Sequence, residues 1–175
     1  MQQDTNDFTM LSWEEMRERA EKHKERRIAR NKGLFEDCKE DLDKIYPEIM
    51  ELFQSKIIGA LSYSMPNIKI NKDDLKDIFN KLHWYDEKYS CVFFTTLCSK
   101  TQPGPIPDNN FLKRFDVDMR SYSIACFAYR CREALEKIGM HSFMRPHENV
   151  LCDPADECNI SLPQEAQKYG EENNP

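Results

Sequence analysis

The stretch Leu34–Leu61, LFEDCKEDLDKIYPEIMELFQSKIIGAL, decides the fold. Within it Phe35, Cys38, Leu42, Ile45, Ile49 and Leu52 recur at alternating steps of three and four, the seam of a helix that seeks another helix. The seam then shifts to Phe53, Ile57 and Leu61. Pro47 lies inside it, where its ring meets the carbonyl of Asp43, so the sequence predicts a kink or a break near Ile45. Fewer than about four heptads do not make a coiled coil by themselves, and packing on a sheet of the same domain accounts for the pattern equally well.

Upstream, Ser12 with Glu15 is the capping-box arrangement, in which each side chain satisfies the other's orphan amide, and it predicts a helix from Ser12 to about Lys32. Its apolar stripe is thin. Trp13, Met16 and Ala20 keep helical spacing, but His23, Lys24, Arg26 and Arg27 intervene before Ile28. Residues 17–32 hold eight basic against three acidic side chains, a local excess of +5, whereas residues 33–51 hold two against seven, an excess of −5. Adjoining blocks of opposite sign can pair within a chain, pair between chains, or face water.

Downstream, Ile68 and Ile70 alternate with polar neighbours as in a short strand, and Asn71 caps a helix whose apolar face is Leu75, Ile78, Phe79 and Leu82. Tyr89–Cys98, rich in aromatic and β-branched residues, reads as a central strand. Thr101–Asn110, with three prolines and Gly104, reads as an extended loop. A last helix is expected from Asp118 to Ile138, closed by Gly139. His141–Met144 and Asn149–Cys152 read as short strands, and Gln164–Pro175 as disordered. The expected architecture is α+β, a small mixed sheet packed by helices. Residues 1–33 form a flexible N-terminus and charged helical arm, 34–153 the domain, and 154–175 an acidic, disordered tail.

The whole chain of 175 residues is 39% hydrophobic and 32% charged with net charge −6, which suits one ordinary domain with loose ends. No apolar window is long enough to span a membrane, and no basic-then-apolar leader opens the chain, so no membrane partner is expected. Seven scattered cysteines in such a chain point to reduced thiols in an intracellular reducing compartment, cytoplasm or nucleus. Five widely separated glycines leave no phosphate-cradling loop, and no G-x-S-x-G, H-E-x-x-H or C-x-x-C motif is present.

No motif fixes a chemistry, and the candidates are correspondingly general. His141, His147, Cys152 and Cys158 are zinc-type ligands in one stretch, but their intervals of five, four and five lack the paired spacing of a finger; the alternative is two surface histidines and two free thiols. A nucleophilic cysteine would be Cys91, Cys98, Cys126 or Cys152 with His83, His141 or His147 as base, although cysteines on apolar elements usually serve packing. The basic helix offers phosphate contacts with Trp13 or His23 for stacking, extended by Arg130, Arg132, Lys137 and Arg145, but interleaved glutamates and a pI near 5.3 oppose a polyanion.

Protein association asks least of the sequence. In that reading Trp13 and Met16 anchor the arm in a groove, while Arg26, Arg27 and Arg30 meet acids on another protein or on the Glu36–Asp43 block of a neighbouring copy, forming an oligomer. A non-enzymatic assembly or accessory protein is therefore the first expectation, nucleic-acid binding through the same arm the second, and a cysteine- or zinc-dependent enzyme the third.

Overall fold

In the computed structural model, which describes residues 10–98, 112–113, 118–143 and 157–173, one helix dominates the chain. Helix α1 runs unbroken over Trp13–Ser62, opened by Ser12 and Glu15: the Ser12 amide donates to the Glu15 carboxylate at 2.8 Å and the Glu15 amide to the Ser12 hydroxyl at 3.2 Å. The capping amide of Ser12 holds the Glu15 carboxyl below its usual pKa. The predicted stop at Lys32 and break at Pro47 are both absent. Gly33 costs a helix only about 1 kcal/mol, and Pro47 lies on the exposed side, where the Asp43 carbonyl that it orphans can be hydrated. Arm and domain thus share a single rod, not two jointed pieces.

Four further helices and a sheet complete the described fold beside the second half of this rod. The remaining elements are β1 (Asn67–Asn71), α2 (Lys72–Phe79), α3 (Lys88–Cys98), α4 (Met119–Lys137), β2 (His141–Phe143), β3 (Glu157–Ser161) and α5 (Gln164–Asn173). The sheet runs in the order β1-β3-β2 with both pairings antiparallel, Ile68 opposite Ile160 and His141 opposite Ser161. The fold is α+β and mostly helical, as expected in class, but the sheet is antiparallel rather than mixed.

Local chemistry explains the ends of these elements. Asn71 caps α2 by accepting from the Asp74 amide at 3.0 Å, and Asp74 returns the bond to the Asn71 amide. Asp118 accepts from the Arg120 and Ser121 amides at the start of α4. At its end Gly139 takes φ of +79°, and the buried Met140 donates back to the Leu135 carbonyl at 3.1 Å.

Two further expectations are overturned. Tyr89–Cys98 is helix α3, not a strand: Tyr89, Ser90, Phe93, Phe94 and Leu97 are buried at helical spacing. Phe93 meets Phe79 at 5.3 Å and Phe94 at 5.5 Å between ring centroids, so packing overrides the β propensity of the aromatic residues. Nor is 154–175 a loose tail. Its residues 157–161 are the central strand, with Cys158 and Ile160 fully buried, and 164–173 form α5. The short segment Cys158–Ile160 carries too little sequence to betray a strand buried on both faces. The proposed loop Thr101–Asn110 and strand Asn149–Cys152 lie outside the described residues.

The core joins Leu42, Ile45, Ile49 and Phe53 of α1 to Phe79 of α2, Phe93 and Phe94 of α3, and Ile124 and Phe127 of α4. It leaves residues 13–26 of α1 without burial; within them Met16 alone is half-buried.

Candidate functional site

Along α1 the first buried residue is Asn31, whose side-chain amide donates to the Leu112 carbonyl at 3.1 Å. From Trp13 to Arg30 the helix therefore runs for about 27 Å, at 1.5 Å per residue, without a buried residue, and as far as Arg26 it stands clear of the packed body. Trp13 is 77% exposed and so is Met10 just before it. A helix that is polar on nearly every side gains little from its own domain, and here it is held by its cap and by ion pairs, Lys22–Glu18 at 2.6 Å and Lys24–Glu21 at 2.5 Å. The first of these spans four positions and the second three, the spacings that face each other on a helix. Such exposed pairs are each worth about 0.3–0.5 kcal/mol, so they do not explain why the arm is retained.

The five anchor residues named from sequence do stand on this arm, but not equivalently. Trp13, Arg26 and Arg30 are exposed, whereas Met16 and Arg27 are half-buried and Arg27 is already engaged within the chain. Beyond the arm, the acidic half of α1 spends several carboxylates on the body. Asp43 pairs with Arg130, whose guanidinium also lies 3.7 Å from the Tyr46 ring centroid, and Glu48 pairs with Lys81. Asp37 and Glu51 are exposed.

Between α1 and α4 lies a feature that sequence reading missed, an apolar groove of about 200 Å³ lined by Phe35, Leu42, Ser123, Cys126 and Phe127, with Lys39, Asp43 and Arg130 around it. Its two walls are more than eighty positions apart in the chain, so no local pattern reveals it. The Phe35 ring meets Tyr122 of α4 at 5.8 Å along the same seam.

On the opposite flank, Asp41 accepts from the Trp84 indole at 3.0 Å and sits 3.3 Å from Lys44 and 3.9 Å from His83. Desolvation pushes the Asp41 carboxyl upward, but the indole hydrogen bond and Lys44 outweigh it and hold the group below its usual pKa. A depressed carboxylate stabilises the fold above the unfolded-state pKa, and that contribution is lost as pH falls through the folded-state value. Trp84→Phe should therefore cost about 1 kcal/mol at pH 7. Thermal unfolding of both chains from pH 7 down to pH 2 should show the gap narrowing below about pH 4; a gap constant over that range would mean that the bond does not act through the carboxylate.

The sequence candidates for chemistry do not assemble. Cys158 is disulfide-bonded to Cys98 across a Cα separation of 6.4 Å, which ties α3 to β3, so neither is the free thiol expected from composition and Cys158 is not available as a zinc ligand. His141 lies exposed on β2, while His147 and Cys152 fall outside the described residues. Among the described residues no three His, Cys, Asp or Glu side chains are grouped to hold a metal ion. Burial pushes the Cys38 thiol up to about 11 and raises Cys126 and Cys131 as well, the opposite of an activated thiolate. The second basic cluster is largely spent: Arg130 serves Asp43 and Tyr46, and Arg132 is buried 3.1 Å from Glu136, while Arg145 lies outside the described residues.

No described helix is long and apolar enough to cross a membrane. No family model, curated protein or solved structure matched the chain. The fold and its most exposed feature define an α+β protein with a projecting charged helix.

Proposed function

We propose that this is an assembly protein whose projecting helix, residues 13–30, binds protein surface, and that the surface belongs to a further copy of the same chain. The observation that carries the reading is the arm itself: a helical extension that keeps Trp13 in water and has almost no buried residue of its own. A helical extension without tertiary packing is held only by local propensity and its cap, and a partner supplies the packing that the body does not. The adjoining +5 and −5 blocks make one copy electrostatically complementary to another. Nucleic acid fits less well, because a strand tracking the arm would run directly into the acidic half of the same rod.

Hydrogen exchange on the purified chain tests this. Assembly predicts that amides of residues 16–30 exchange rapidly in dilute protein and become protected as concentration rises, while core amides stay unchanged. Equally rapid exchange at every concentration would remove self-assembly.

A further inference from the structure

We infer that the arm and the α1/α4 groove are the two halves of one reciprocal interface: Trp13 of each copy enters the groove lined by Phe35, Leu42, Cys126 and Phe127 of the other, with the two α1 helices antiparallel. The inference rests on the assembly reading and specifies its acceptor. The groove is apolar and of about 200 Å³, and a dry cavity of about 150 Å³ is enough to hold an aromatic ring. Trp13 is the largest exposed apolar side chain on the arm and needs such a site.

Its own groove is out of reach. Trp13 and Phe35 lie on one uninterrupted helix, about 33 Å apart at 1.5 Å per residue, so only a second chain can bring the indole to this site. Exchange of identical elements by two copies closes with two-fold symmetry and leaves no open end to propagate.

Charge is compatible with the same alignment. Glu14, Arg17, Glu21, Lys32 and Lys39 follow one flank of α1 at helical steps, and Phe35 belongs to that flank. When two copies lie antiparallel with Glu14 opposite Lys39, Glu21 falls opposite Lys32 and Arg17 opposite Glu36, because the residue numbers of each pair have the same sum. That register carries Trp13 to within a residue of Lys39, at the mouth of the groove. Antiparallel helices bring like flanks together, so these opposite charges meet across the seam. Flank charge alone would allow other alignments, and the groove alone other occupants, but they coincide in this one.

Cys126 supplies the test, since it lines the groove and is a half-buried free thiol. A chain carrying Trp13→Cys and Cys126→Ser is mixed with the native chain under mild oxidation. The mixed pair keeps one native Trp13 in one groove and places the introduced thiol against Cys126 in the other. The expected product is a covalent heterodimer, joined at Cys126 by peptide mapping and lost when the native chain also carries Cys126→Ser. Association by light scattering without that link overturns the groove and register but leaves arm-mediated assembly standing. Absence of association at any concentration for the native chain overturns both.

Discussion

Phe93→Ala should be the most damaging single substitution in the body, costing about 3–5 kcal/mol. The ring is fully buried and packs against Phe79, Phe94 and Phe127, so truncation opens a void at the point where α2, α3 and α4 meet. Because a domain of ordinary size holds only about 5–15 kcal/mol in total, this loss consumes a large part of the reserve. For a chain of this length each kcal/mol moves the melting temperature by about 2–4 °C, so a fall of about 6–20 °C is expected in circular dichroism or calorimetry. A change below 1 kcal/mol would mean that residues 88–98 are not the buried helix described.

Removal of residues 1–26 should have the largest effect on assembly and little on folding. This cut spares Arg27, Asn31 and every buried residue of α1, but it discards Trp13, the Ser12–Glu15 cap and most of the basic block. Loss of a cap costs about 1 kcal/mol, equivalent to about 2–4 °C, so the shortened chain should still unfold in one cooperative transition. It should run as a monomer at concentrations where the full chain associates. A shortened chain that fails to fold would place the arm in the core. One that folds and still associates would move the interface elsewhere.

Local chemistry in this sequence was readable; long-range apposition was not. Ser12 with Glu15, Asn71 with Asp74, Asp118 and Gly139 each announce a helix end because the bonds they make span at most five positions. The alternation at Ile68 and Ile70 gave β1 for the same reason. Tyr89–Cys98 misled because a short apolar run fits a buried strand and a buried helix equally, and only contacts with Phe79 and Phe127 settle it. Pro47 does not end the helix, because the cost of an orphaned carbonyl depends on whether it faces water, which one sequence does not state. Glu157–Ser161 was hidden in an acidic region, although it pairs on both edges with distant strands. Of the candidate site, the exposed charged helix was legible from charge and spacing, while the groove was not, since it exists only where α1 and α4 come together.

Retention of a 50-residue helix with nearly a third of its length outside the body makes sense if that length is covered in the working state. Light scattering of the intact chain, from dilute to concentrated protein and at low and high salt, tests this most directly. The account predicts a molar mass rising with concentration to twice the 20.8 kDa of one chain, with association weakened by salt and the absorbance ratio of pure protein. A constant 20.8 kDa under all these conditions, with the arm-deleted chain behaving identically, would contradict it.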